Sequence, residues 1–224
     1  MAQAVASVSI GTQPREFALP IDLAALVAPD RTALVTQECQ RGVIGDHSAL
    51  PALAEAAQGQ VIANISRLVV AAREAGARVI HCTAERRLDG QGANHNARLF
   101  QAMARAEAAL EPGSEAAEIV PEIRVEASDL VVPRLHGLSP FQGTELDSLL
   151  RNLGVRTIVG VGVSVNVAIT NLAFDAVNAS YQMVIPRDAV AGFPSAYVEA
   201  VFENTLSAIA SVTTTDQLLR HWKR

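Results

Sequence analysis

Cysteine is almost missing from this chain: Cys39 and Cys82 are the only two among 224 residues. Two thiols cannot build a disulfide scaffold, and no Cys-x-x-Cys or His-x-x-x-His spacing announces a metal site, so neither a metal nor a cofactor is expected. Lysine is scarcer still. Of the 18 basic residues only Lys223 is lysine, so a cation at work elsewhere in the chain has to be arginine. Long runs are missing too. Net charge is −5 with a pI near 5.5, and no stretch of like charge exceeds a few residues, which leaves no footprint for nucleic acid and no patch for an anionic membrane. No apolar run reaches the ~18 residues of a membrane span. Residues 1 to 20 lack the basic region and apolar core of a secretory signal. The expectation is a cytoplasmic protein whose partner is a small molecule.

What is present is apolar and evenly spread. With 50% hydrophobic and 18% charged residues, the chain can bury one sizeable core, and a single α/β domain over 31–224 is expected behind an N-terminal arm, 1–30, punctuated by Gly11, Pro14, Pro20 and Pro29. Strands are read at 32–38, 77–83, 129–132, 156–163, 182–186 and 211–213. Helices are read where Val61, Ile65, Leu68, Val69 and Ala72 share a face before Gly76, over 97–110, over 143–154 with Thr144 as cap, over a stretch whose apolar face is Ile169, Leu172, Ala173, Ala176 and Val177, over 194–210, and at the C-terminus. Strands and helices alternate throughout, which predicts a three-layer α/β/α domain around a central parallel sheet.

In such a sheet, ligands sit outside the carboxyl ends of the strands, beside helix N-termini. Glu38 stands at the end of the first strand, partly desolvated, where it can serve as general acid or base. Strict alternation puts Gln40 on its side and Cys39 on the other. Cys39 and Cys82 are read as buried structural thiols. The loop 133–144 gathers Arg134, a fixed positive fork, and His136, which can donate or accept near neutral pH. From Gly162 the chain runs through Ser164, Asn166, Val167 and Ala168 straight into a helix, and those positions belong at the rim. Gly160-Val-Gly162 lacks the third glycine of a dinucleotide loop, so no dinucleotide is expected.

Several of these stretches together resemble the isochorismatase-like, or cysteine hydrolase, superfamily. Thr36-Gln-Glu-Cys-Gln40 is similar to its first-strand motif. Val131-Val-Pro-Arg134 and Phe141-Gln-Gly-Thr-Glu-Leu-Asp147 are similar to its middle loop and helix. Gly162-Val-Ser-Val-Asn-Val-Ala-Ile169 with Ala173-Phe-Asp-Ala176 resembles its nucleophile turn, and Asp188-Ala189 and Thr213-Thr-Thr-Asp-Gln-Leu218 resemble its closing segments. The resemblance implies the α/β fold above and a triad of aspartate, lysine and cysteine. None of the three is kept. Glu38 replaces the aspartate, Arg134 or Leu135 stands at the lysine, and Ala168 stands at the cysteine.

Without a nucleophile, acyl transfer has to use activated water. The expected site is therefore Glu38, Arg134 and His136 as acid, base or electrostatic groups, with Gln40, Phe141, Ser164, Asn166, Val167 and Ala168 contacting the substrate and backbone N–H groups near Val167 and Ala168 polarising it. Two functions stay open at this point: a non-covalent hydrolase, and a protein that binds a metabolite on the same scaffold without converting it. Members of the superfamily commonly associate, so a homo-oligomer is expected.

Overall fold

The structure, a computed structural model, describes residues 21–106 and 110–223, so positions 1–20 of the expected arm lie outside it. The remainder of the arm is tied to the body. Helix α1 (Leu23–Leu26) is capped by Asp22, whose carboxylate accepts the Ala25 N–H at 3.1 Å. Val27 is buried in the core, and its carbonyl receives the Trp222 indole N–H at 2.9 Å.

In chain order there come next β1 (Thr32–Gln37), α2 (Arg41–Ile44), α3 (Pro51–Ala57), α4 (Gln60–Ala75), β2 (Arg78–Ala84), α5 (Arg98–Met103), β3 (Leu130–Arg134), α6 (Leu146–Asn152), β4 (Thr157–Val163), α7 (Thr170–Asn178), β5 (Gln182–Pro186), β6 (Val190–Ala191), α8 (Ser195–Val201), α9 (Ser207–Ile209), β7 (Ser211–Thr213) and α10 (Thr215–Trp222). The seven strands pair in parallel in the order β3-β2-β1-β4-β5-β7, and β6 pairs with the end of β4. All six β1 residues are buried, because helices cover both faces of a parallel sheet. Leu34, Val79, Val159 and Val161 pack with Ile65 and Leu68 of α4 and Trp222 of α10. Ala33, Val35, Ile80 and Ile158 pack with Leu146 and Leu150 of α6 and Leu172 of α7. The predicted three layers are therefore present.

The ends of elements differ from the sequence reading in ways that have local causes. Pro133 lies inside β3 instead of ending it, since β3 is an outer strand of the sheet and a missing N–H there breaks no ladder. The helix expected over 97–110 shrinks to α5, none of whose residues is buried. Helix α6 starts at Leu146, with the Thr144 hydroxyl accepting its N–H at 3.2 Å. Val177 is 40% exposed, so the apolar face of α7 ends at Ala176. Between β1 and α3 the chain forms α2, which the sequence reading did not contain and whose Val43 and Ile44 are buried. The stretch 194–210 is interrupted by a π-turn at Phe202–Leu206.

Candidate active site

The site begins where β1 stops being a strand. Glu38 has φ +53°, a left-handed conformation that a non-glycine residue adopts at a cost of roughly 1 kcal/mol or more. Its N–H still reaches the Cys82 carbonyl at 2.9 Å, but the turn breaks the alternation on which the sequence reading relied. Cys39 swings into the core beside Leu34 and Val43. Gln40 becomes fully buried: its amide donates to the carbonyls of Ala84 at 2.8 Å and Ala117 at 3.0 Å and accepts the Ala84 N–H at 2.8 Å. With both N–H donors used on backbone, Gln40 joins segments of the chain and turns away from the side of Glu38 on which alternation had placed it.

Gly162 shows how closely β4 approaches this turn. At φ +110°, a Cβ there would sit 2.3 Å from the Gln37 carbonyl oxygen and 3.0 Å from Cys39 Sγ, so only glycine fits.

The Glu38 carboxylate is held from one side. Gln37 Nε2 donates to its Oε1 at 3.0 Å, and the Arg134 guanidinium donates to the same oxygen through Nη2. Oε2 has no hydrogen-bond partner among the described residues. The Glu38 side chain is 18% exposed and that of Arg134 5%. Arg134 also donates from Nε to the Gly137 carbonyl at 3.3 Å, while its Nη1 and the Oε1 of Gln37 are buried without a partner among the described residues. Of the two candidates for the lysine's place, then, Arg134 meets the first-strand acid, and Leu135 is 42% exposed. Gln37, which sequence reasoning passed over, is a direct support of Glu38; its place next to a strand-end acid was the available signal.

The middle loop is anchored by a residue that the sequence reading also missed. The Ser139 hydroxyl donates to Asp175 Oδ2 at 2.6 Å and accepts the N–H groups of Phe141 at 3.0 Å and Gln142 at 2.8 Å. Asn171 donates to the same Asp175 oxygen at 2.5 Å. Asp175 and Ser139 both fall in or beside the quoted motifs, so the pair was visible there as letters but not as a contact. Phe141 packs on the α6–α7 core with its ring 6.0 Å from that of Tyr181, away from the cavity described below. His136 is exposed, and its ring lies over Gly143, where a Cβ would approach Cε1 to 2.6 Å.

At the end of β4 the chain enters a π-turn, Val165–Ile169, before α7. The Ser164 carbonyl accepts the N–H of Val167 at 3.2 Å and that of Ile169 at 3.0 Å. The Val167 N–H is thus engaged within the turn. Asn166 Oδ1 is buried against Gly192 with no partner among the described residues. Ala168 is 3% exposed.

These strand ends open onto a cavity of about 490 Å³. Glu38, Arg134, His136, Ser164, Asn166, Val167 and Ala168 lie on its wall; Gln40 and Phe141 do not. The 86–96 loop contributes Arg86, Ala93 and Asn94, and Asn94 accepts the Gly137 N–H at 2.8 Å, fastening that loop to the middle loop. Cys39 and Cys82 are both buried, and burial pushes each thiol up to about 12, so neither supplies a thiolate near neutral pH. Among the described residues no group of three His, Cys, Asp or Glu could hold a metal ion, and no helix is long and apolar enough to cross a membrane.

Comparison with known proteins gives the family and the fold. The family model described as isochorismatase domain matches residues 32–217. An uncharacterized isochorismatase family protein of Bacillus subtilis is 34% identical over 107 residues, covering 48% of this chain and 56% of that protein, so this match spans little more than half of the relative's length. Ureidoacrylate amidohydrolase of Serratia proteamaculans is 30% identical over 175 residues, covering 72% of this chain and 70% of that enzyme. Among solved structures, a cysteine hydrolase from Pseudomonas syringae pv. phaseolicola superposes with a TM-score of 0.76 at 26% identity, covering 88% of this chain and 95% of that one. N-carbamoylsarcosine amidase from Thermoplasma acidophilum shares the fold, with a TM-score of 0.66 at 23% identity over 83% of this chain and 97% of that one.

Proposed function

The chain belongs to the isochorismatase family, and from that premise we propose that it hydrolyses a small metabolite at an amide-type bond by direct attack of water, with Glu38 as acid and base and no covalent intermediate. Hydrolysis of small metabolites is the activity that membership carries at the level of the family. The observation that carries the finer reading is the one-sided hold on Glu38. Gln37 and Arg134 occupy Oε1, leaving Oε2 free of partners among the described residues, on the wall of the cavity that Ala168 also lines.

Water hydrogen-bonded to Oε2 gives it a proton as the water oxygen bonds to the carbonyl carbon, and the carbonyl π electrons move onto oxygen. The Ala168 N–H supports that oxyanion, since the Val167 N–H is engaged by Ser164. Collapse re-forms the carbonyl and breaks the carbon–nitrogen bond, and the proton on Glu38 passes to the leaving nitrogen. Arg134 offsets the charge of Glu38 and fixes its rotamer; arginine as a residue type does not exchange protons at working pH. His136, on the wall, carries the proton of the product acid to solvent. Ser164 and Asn166 position the substrate. The 31–224 segment is read as the hydrolase domain, in the cytoplasm, assembling as a homo-oligomer, which light scattering would refute by returning a monomer mass at micromolar concentration.

A second reading is favoured by one observation: Ala168 supplies no nucleophile, and the cation beside Glu38 is not a proton donor. On that reading the cavity binds a metabolite without converting it. A panel of carboxamides and ureido acids separates the two. Sustained product release from any of them supports hydrolysis, whereas saturable binding by the wild type with no product across the panel supports the binding protein.

A further inference from the structure

Helix α5 carries Leu99, Phe100 and Met103 at i, i+1 and i+4, one face of a helix, yet no residue of α5 is buried. An apolar face left uncovered on so short a helix needs a reason. The three side chains line the cavity together with Leu50 and Leu53, at the start of α3, and Leu110. Leu99 is 39% exposed. The polar groups come from the other direction, at the ends of β1, β3 and β4: Glu38, Arg134 and Ser164. The cavity is therefore two-sided, with a polar base at the strand ends and an apolar wall from α3 and α5.

We infer that the ligand is amphipathic: a compact polar head seated at Glu38 and Arg134, joined to an uncharged alkyl or aryl body that covers the α3–α5 wall. Size sets the scale of that body. A cavity of roughly 150 Å³ holds a benzene ring. At about 490 Å³ this one has room for the head and a body of about eight carbons or two fused rings. Charge agrees with an uncharged body, because Glu38 and Arg134 offset each other, the other two charges on the wall, Glu85 and Arg86, are also of opposite sign, and Leu50, Leu53, Leu99, Phe100, Met103 and Leu110 supply only apolar groups. The inference rests on the proposed reading only in placing the substrate in this cavity.

The test is a homologous series of straight-chain primary amides, from butanamide to decanamide, titrated calorimetrically into Glu38→Gln and followed for turnover with the wild type. Affinity should rise about fourfold per added methylene until the wall is covered. Leu99→Gln with Met103→Gln should flatten that rise. Leu88→Gln, at a leucine that is 69% exposed and off the cavity wall, should keep it. None of the three positions is buried, so the variants fold, and a thermal melt verifies this. Affinity that does not depend on chain length overturns the inference, as does a slope that survives the double substitution on α5. A steep series with no turnover by the wild type would remove the hydrolase reading and leave this one standing; turnover of butanamide with a flat series would do the reverse.

Discussion

Glu38 and Arg134 meet across the end of β2: the acid leaves β1, the guanidinium leaves β3, and the strand between them is spanned by their contact. Both side chains are largely withdrawn from water, so each depends on the other for charge compensation.

Removing one partner should therefore cost more than removing both. Arg134→Met leaves a partly buried carboxylate opposed only by the Gln37 amide, and a loss of about 2–3 kcal/mol is expected, below the range for a fully buried pair because Glu38 retains some exposure. Glu38→Gln combined with Arg134→Met should recover part of it. Urea unfolding of the two single variants and the double variant measures the coupling, and strictly additive losses would show that the contact is energetically idle.

A second buried polar chain lies beneath α4 and sets a pH limit on stability. Thr36 Oγ is 2.8 Å from His81 Nδ1, His81 Nε2 is 3.2 Å from Asp129 Oδ2, and Arg73 Nε donates to Asp129 Oδ1 at 3.0 Å. A neutral His81 with its proton on Nε2 satisfies both neighbours. Burial depresses its pKa; the Asp129 carboxylate opposes that without reversing it. Asp129 is raised by its own burial, but the hydrogen bonds from Arg73, the Glu126 N–H and His81 win and hold it below the ordinary carboxylate value. The unfolded chain takes up the His81 proton first, so this contribution is complete above about pH 6.5 and is lost as the pH falls from there toward the depressed folded value. Asp129 withdraws its contribution at lower pH, below about 4. Unfolding free energy measured from pH 7.5 to 5 should decline for the wild type and decline less for His81→Gln; parallel curves would contradict the assignment.

Much of this architecture could be read from residues alone, and the failures have physical causes. Parallel strands announced themselves by apolar runs buried on both faces, and their carboxyl ends led to Glu38, Arg134 and the turn at Ser164–Ala168. Gln40 was misplaced because a left-handed residue at Glu38 reverses the alternation, and the letters Gln-Glu-Cys-Gln carry no sign of it. Pro133 was misread because being an outer strand is a property of the whole sheet. The Ser139–Asp175 contact joins segments far apart in sequence, which no local pattern reveals, whereas Gln37 stands beside Glu38 and was passed over.

Alkylation should leave the wild type intact, since Cys39 and Cys82 are buried and their thiols lie far above neutral. Ala168→Cys places a thiol on the cavity wall and should create one new site of reaction. Mass spectrometry after iodoacetamide reads both outcomes. Modification of native Cys39 or Cys82 with loss of activity would reveal a nucleophile that the water mechanism does not contain.

The central claim is that Glu38 moves the proton in a hydrolysis that forms no covalent intermediate, and Glu38→Gln tests it most directly. The amide is nearly isosteric, so the fold and binding should persist while turnover falls by a factor of about a hundred to ten thousand, with KM little changed. Wild-type turnover in Glu38→Gln would contradict the claim and make the carboxylate a structural partner of Arg134.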